Sequence, residues 1–453
     1  MGQEKAYLCI DLKSFYASVE CIDLGHDPLT CDLVVADLSR TEKTICLAVS
    51  PSLKAKGLRN RCRFFEIPER LRKDLVVTPP RMARYIEKSA EIYGVYLRWI
   101  AAEDIHVYSI DEAFMDITPY LSLYDCSPRE LGERIRADVT ERTGIPATCG
   151  LGTNLYLAKV ALDISAKHSP GFFGELDETS YKETLWTHRP ITDFWRVGGG
   201  TARRLAALGI ETMGQLALYP TEPLYEIFGI DAEILIDHAW GIEPVTIADI
   251  KAYRSQSHSL SSAQVLGEDR DFEGALIIAK EMADALALEL VEQGKCCRSV
   301  TVAVNYSASS EQREAMRQAL RSDEVGAGQR GIRQMYGETL SHGTATLLSP
   351  TSSRAAIVGE LASLYARVVE HGRPIHRVAV VLGDVRDEDT PGLQLSLFRD
   401  EAAEQRERTR QEAISEVKRR FGKNALLKGI DLLDGATARE RNLQIGGHAS
   451  GEK

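Results

Sequence analysis

Residues 107–118, VYSIDEAFMDIT, place two adjacent carboxylates, Asp111 and Glu112, in a run that is otherwise mostly apolar and β-forming. Adjacent acids at a hairpin tip would simply be solvated, but no Asn-Gly or Asp-Gly marks a tight turn here. VYSI and AFMDI read instead as strand continuing on both sides, near the middle of a sheet. Charges there are costly unless cations compensate them. A divalent cation is the natural partner. A cluster of hard oxygen ligands suits magnesium, which keeps some waters and binds substrate phosphates as well. A third acid, Asp11, ends the strand-like run 6–11, AYLCID. Two strands side by side would gather Asp11, Asp111 and Glu112 around one pocket. Three carboxylates can hold two metals about 4 Å apart, an arrangement that activates an attacking oxygen and stabilises a leaving one in phosphoryl transfer.

The elements that must position these acids follow from periodicity. Residues 14–22 start a helix with Ser14 as N-cap. Residues 33–37 and 44–49 read as short strands. Residues 81–98 are helical, with Met82, Tyr85, Ile86, Ala90 and Tyr93 near one face. A second amphipathic helix covers 128–143, a strand 147–152, and a helix 154–167. This α+β pattern runs to about residue 180. A mostly helical stretch with two Gly-punctuated helix pairs, around 197–210 and 224–241, extends to about 245. Residues 246–264, Ser-rich, read as a linker or an exposed edge. Helix and strand return from about 265 to 385. After 386 the chain is charged, with one apolar island, LQLSLF at 393–398, and a helix carrying Ala413, Ile414, Val417 and Phe421 on one face.

The chain has 453 residues, too many for one ordinary core, so three or four domains are expected. No run of about 18 apolar residues exists, so no membrane span is expected. The N-terminus shows no basic region followed by an apolar stretch, hence no signal peptide. Nine cysteines at irregular spacing, without C-x-x-C, point to free thiols in a reducing compartment and to a cytoplasmic location. A net charge of −11 argues weakly against nucleic-acid binding. Locally the sign reverses: residues 51–73 carry eight Lys or Arg against two Glu, a segment able to meet phosphates.

CIDLKSFYASVE (9–20) followed by YSIDEAFMDIT (108–118) resembles the paired catalytic motifs of Y-family, lesion-bypass DNA polymerases, closest to the UmuC-like branch. The resemblance implies a right-hand polymerase. Its palm would cover 1–25 and 78–180, small fingers 26–77, and a helical thumb 181–245. An extra αβ DNA-gripping little finger would cover 252–386, with a tail at 387–453. It implies that Asp11, the Leu12 backbone carbonyl, Asp111 and Glu112 hold two Mg2+ ions. Tyr16, beside Phe15, would be the steric gate against a ribose 2′-OH. In SPSLKAKGLRNRCRFFEI (50–67) Lys54 takes the triphosphate-gripping position, where many relatives have Arg, and Pro51 stands where they have Tyr. A lysine offers a point charge where Arg offers a bidentate fork. In AKVALDISAKHSPG (158–171) Lys167 matches a triphosphate contact.

DFWRVGGGTARRLAALGI (193–210) resembles a helix-hairpin-helix. There Gly198, Gly199 and Gly200 would bring backbone N–H groups to a phosphate, with Arg203 and Arg204 adding charge. Arg196 stands where the family has its first glycine. Gln394, Leu395, Leu397 and Phe398 resemble the bacterial sliding-clamp peptide, a short linear motif with apolar anchors. The expected activity is template-directed addition of dNMPs from dNTPs to a primer, without proofreading. The expected partners are primer-template DNA and the sliding clamp. A nucleotidyl cyclase with a palm-like sheet, and a catalytically silent DNA-binding accessory subunit, are the competing readings.

Overall fold

A computed structural model of the chain describes residues 5–39, 44–254, 258–307, 340–388 and 401–451, leaving aside the side chains of residues 168, 401 and 404. The chain divides into two compact units: one runs to Arg254 and includes the segment from Ala449, the other is Ser255–His448. Both mix helices with sheets, an α+β multidomain architecture.

In the first unit the strands are β1 (Tyr7–Leu12), β2 (Leu33–Val35), β3 (Ala48–Val49), β4 (Val76–Thr78), β5 (Ile105–Val107), β6 (Glu112–Asp116), β7 (Ala147–Gly152) and β8 (Phe173–Leu176). The main sheet has the order β5-β6-β1-β7-β8, and β3-β2-β4 forms a small separate sheet. β1 sits at the centre, antiparallel to both β6 and β7. Residues 7–10 of β1 are buried without alternation, as expected of a strand covered on both faces.

The helix Leu155–Val160 continues through a wider turn, Ala161–Ser165, and a tight turn, Ala166–His168. Asn154 caps it by accepting the Leu157 N–H at 2.8 Å, and its amide donates to the Gly241 carbonyl at 2.8 Å. This helical run lies directly on β7 and β8 because glycines let it. A Cβ on Gly150 would stand 2.2 Å from the Ala158 carbonyl oxygen, one on Gly152 2.2 Å from the Ala158 nitrogen, and one on Gly174 2.4 Å from the Ala161 oxygen. The helices Gly199–Ala206, Met213–Ala217, Thr221–Phe228 and Asp231–Trp240 share a separate core with Tyr156, Tyr181, Leu205 and Leu224.

The second unit holds β9 (Ser259–Arg270), β10 (Lys295–Tyr306), β11 (Leu340–Thr351) and β12 (Ile375–Gly383) in the order β11-β10-β12-β9. Helices Phe272–Glu292 and Arg354–Val368 cover one face with a core including Met282, Val302, Leu361 and Val380. The charged helix Glu401–Phe421 packs against Phe272–Glu292. The tail then returns to that same helix, where the buried Glu281 carboxylate accepts the Thr437 and Ala438 N–H groups at 3.1 and 3.2 Å.

Several sequence expectations change. The acids at 111 and 112 do sit at a hairpin: β5 and β6 are antiparallel, and the Tyr108 and Ser109 N–H groups both donate to the Glu112 carbonyl, at 2.9 and 3.1 Å. The turn needs no glycine because one carbonyl satisfies two donors, and Glu112 stays buried. Ser14 precedes its helix in a left-handed conformation (φ 48°) and makes no side-chain cap. On Met82–Tyr96 the buried face is Met82, Tyr85, Lys88, Ile92, Val95 and Tyr96, while Ile86 and Ala90 are exposed. The stretch read as a linker or exposed edge holds the helix Ile247–Ala252 and the start of β9, which is an edge strand. Ala413 and Phe421 are exposed rather than buried on the tail helix.

Candidate active site

β1 and β6 bring the three acids together. Their register sets Asp11 opposite Glu112, and the Leu12 N–H donates to the Asp111 carbonyl at 2.9 Å. Directly opposed residues have Cβ atoms about 5 Å apart, so the two carboxylates share one side of the sheet. Leu12 is held from the other side too, opposite Ala147 of β7.

The acids are held differently. Glu112 accepts from Lys159 Nζ at 2.8 Å on one oxygen and from Cys9 Sγ at 3.2 Å on the other. Asp111 accepts from the Ser109 hydroxyl at 2.7 Å. Asp11 has Lys167 Nζ at 3.7 Å, an ion-pair distance rather than a hydrogen bond. Asp163 joins the two lysines, at 2.9 Å from Lys159 and 2.7 Å from Lys167. A chain of alternating charges thus runs Glu112, Lys159, Asp163, Lys167, Asp11.

Burial, with the Asp111 and Glu112 charges nearby, pushes the Asp11 carboxyl up to about 6, against the pull of Lys167 and Lys159. Burial also disfavours charge on Lys13 and Lys54 and lowers both; Asp11 lies within electrostatic reach of each and opposes that shift. For Lys159 and Lys167 the neighbouring acids outweigh burial, and both are raised. Burial, the Lys159 neighbour notwithstanding, raises the Cys9 thiol well above its ordinary range. Lys13, Lys54 and Lys167 thus lie within electrostatic reach of one another and of Asp11, a pattern suited to a polyanion accompanied by cations, with the Lys13 ammonium 3.8 Å from the centre of the Phe172 ring.

The chain leaves this site by a sharp turn at Ser14. The Lys13 N–H donates to the Pro146 carbonyl at 2.9 Å, and Ser18 Oγ to the Lys13 carbonyl at 2.6 Å. The turn buries Phe15 and leaves Tyr16 half-buried, stacked on Tyr85 with centroids 4.3 Å apart and planes 12° from parallel. Tyr85 is fixed in turn: its hydroxyl donates to Glu20 at 2.7 Å, and Glu20 takes a two-point contact from Arg81 at 2.8 and 3.0 Å. Burial and the Asp111 charge raise the Tyr16 hydroxyl, while Arg61 pulls it the other way. Arg61 itself stands at φ 56°, so a non-glycine residue holds a left-handed bend beside the tyrosine.

Among the described residues no three His, Cys, Asp or Glu side chains form a ready metal cage. Glu112 is turned toward Lys159 and Cys9. The donor chemistry nonetheless fits a hard dication. The oxygens are carboxylates, hard ligands of the kind such an ion takes.

The sequence-predicted residues fall into three places. Asp11, Leu12, Asp111, Glu112 and Lys167 come together at the β1–β6 pair, with Lys54 and Tyr16 within electrostatic reach of Asp111 and Phe15 buried. Gly198–Gly200 and Arg203 are exposed at and along the helix Gly199–Ala206, which packs through Leu205 into the helical core rather than onto the acid-bearing sheet. Arg204 covers the Phe228 ring at 4.2 Å. Arg196 takes φ 67°, the backbone a glycine would favour. Gln394, Leu395, Leu397 and Phe398 lie outside the described residues. Sequence reasoning missed Cys9, Lys13, Arg61, Tyr85, Ser109, Lys159 and Asp163. The last two carry a sequence signal: Lys159, Asp163 and Lys167 recur every four residues, one helix face.

Residues 10–163 match the impB/mucB/samB family, and residues 257–397 match the C-terminal domain of that family. The "putative UV-damage repair protein UvrX" of Bacillus subtilis is 30% identical over 449 residues, covering 98% of each chain. The B. subtilis protein called "DNA polymerase IV 2" is 29% identical over 450 residues, 99% of this chain and 100% of the relative. A protein of the same name from Halalkalibacterium halodurans is 29% identical over 450 residues, 98% and 99% of the two chains.

Proposed function

The chain belongs to the impB/mucB/samB family of Y-family polymerases and is a lesion-bypass DNA polymerase, and we propose that it builds DNA at the acid cluster formed by β1 and β6. The observation that carries this reading is the register that opposes Asp11 to Glu112, with Leu12 tied to Asp111.

On this reading Asp11, Asp111, Glu112 and the Leu12 carbonyl hold two Mg2+ ions, whose chemistry is to acidify the primer 3′-OH and offset the charge of the leaving pyrophosphate. The chain's own groups do the rest. Lys13, Lys54 and Lys167 receive the dNTP triphosphate. Tyr16, braced by Tyr85 over Phe15, closes the space a 2′-OH would need. The β1–β6 frame fixes the acids before substrate arrives, so catalysis is mostly positional and electrostatic.

The subdomains follow the same reading: palm at 1–25 and 78–180, fingers at 26–77, thumb at 181–245, little finger at 252–386, and a tail from 387 with the clamp peptide. The exposed Gly198–Gly200 turn with Arg203 supports a sequence-independent phosphate grip, with Arg204 beside it. The open sheet face of the second unit supports contact with primer-template DNA. Residues 394–398 bind the sliding clamp.

Among the described residues no helix is long and apolar enough to cross a membrane. Primer extension on one defined template tests the whole. Templated elongation with dNTPs supports the reading. Cyclic nucleotide made without DNA would favour a cyclase, and DNA binding without synthesis an accessory subunit.

A further inference from the structure

Glu112 differs from the other two acids in having both oxygens engaged by protein groups, Lys159 Nζ at 2.8 Å and Cys9 Sγ at 3.2 Å. The Lys159 and Glu112 side chains are each only 8% exposed. Lys159 is in turn anchored by Asp163 at 2.9 Å, one turn along the same helix. That helix is pressed onto β7 through Gly150 and Gly152, so the ammonium cannot withdraw by a shift of backbone. Glycine contact, ion pair and thiol together form a fixed mount for one carboxylate. Among the described residues no comparable mount holds Asp11 or Asp111: Asp11 has the Lys167 ammonium at 3.7 Å, and Asp111 accepts from one hydroxyl.

We propose that Lys159 is a positioning residue: a resident cation that aims Glu112 and competes with divalent metal for it. The inference rests on the metal-dependent reading above. An ionised carboxylate has about four acceptor sites, so Glu112 can keep Lys159 and still lend an oxygen. Any dication it binds then shares that carboxylate with a buried ammonium. Orienting a ligand through its outer partner is worth roughly 10- to 100-fold in metal affinity. Repulsion between a dication and an ammonium at contact range in a poorly screened site is larger still. Lys159 therefore weakens metal binding on balance while fixing where the metal goes. Its benefit is rate, and its cost is affinity.

The test follows the thermal stability of the full chain with and without Ca2+, alongside the Mg2+ dependence of primer extension. For Lys159→Met we expect a lower melting temperature without metal and a larger metal-induced rise than in wild type. The half-saturating Mg2+ concentration should fall about tenfold, kcat should fall, and KM for dNTP should hold within about twofold. Asp163→Asn, a near-isosteric change at a partly exposed residue, should move metal affinity the other way, because Lys159 then leans on Glu112 alone. It decides the matter if Lys159→Met does not fold. Wild-type metal-induced rises in the variants that fold would overturn the proposal and leave Lys159 a core ion pair. The thermal readout needs no synthesis, so failure of the polymerase reading would appear separately, as absent extension with the metal response intact.

Discussion

Asp11 and Glu112 stand directly opposite each other on antiparallel strands, yet among the described residues only Glu112 has a lysine within hydrogen-bond distance. Two carboxylates that share an environment are thus treated unequally. Glu112 is ion-paired with Lys159, while burial pushes the Asp11 carboxyl up to about 6 and leaves its cation 3.7 Å away.

That inequality makes the metal-free protein sensitive to pH. The Asp11 carboxyl is raised by burial from an ordinary 3.8 to about 6. The fold therefore prefers the protonated form. This stabilisation is complete below about pH 4 and is lost as pH rises through 6. Two pKa units correspond to at most about 3 kcal/mol. Asp11→Asn, which stays neutral, should therefore be the more stable protein at pH 7 in chelator and should lose that advantage at pH 4. Urea unfolding at the two pH values checks this. An Asn variant less stable than wild type at pH 7 would contradict it.

Tyr16 stacks on Tyr85, which Glu20 and Arg81 hold. Removing the ring in Tyr16→Ala should admit ribonucleotides. Removing its backing in Tyr85→Leu should do so more weakly, by roughly tenfold in relative kcat/KM, the scale of a small misfit in an apolar pocket. The dNTP to NTP ratio on an undamaged template reads both. An unchanged ratio in Tyr16→Ala would remove the gate.

A Cβ at Gly150 would meet backbone at 2.2 and 2.4 Å. Backbone cannot swing aside as a side-chain tip can. Gly150→Ala should therefore cost about 3 kcal/mol or more, and by lifting the helix it should pull Lys159 and Asp163 off the acids. Denaturant midpoints and extension rates should fall together. A near-neutral alanine would mean that the helix does not press on β7.

Deleting residues 394–398 should spare extension on naked DNA and abolish stimulation by the sliding clamp. Clamp affinity that survives the deletion would place the contact elsewhere.

Much of the site was legible because charge is conspicuous in an apolar strand. Asp11 and the Asp111–Glu112 pair announced themselves against AYLCI and AFMDI, and register did bring them together. The turn between β5 and β6 was not legible. It closes on the Glu112 carbonyl, a backbone acceptor with no residue signature. The partners of Glu112 were hidden differently. Cys9 follows from the two-residue alternation of β1, and Lys159 from four-residue spacing on a helix, but which strand meets which helix is a tertiary fact. Gly150 and Gly152 were the clue, since alternate glycines in a strand signal close approach of another backbone. Helix 82–96 was assigned its face from hydrophobicity. There Lys88 is buried, its ammonium 2.6 Å from Glu91, and Ile86 is exposed. The Ser-rich start of β9 reads as a linker or an exposed edge, and the edge is what forms: β9 ends its sheet with outward positions facing solvent.

The central claim is that acids brought from distant parts of the chain by β1 and β6 are where DNA is made. Single-nucleotide incorporation by Asp111→Ala, compared with wild type at matched melting temperature and saturating Mg2+, tests it most directly. On this account loss of the Asp111 carboxylate should lower the rate by about a thousandfold or more, on the scale of other groups that stabilise transition-state charge. A folded Asp111→Ala protein that extends primers at the wild-type rate would contradict the account.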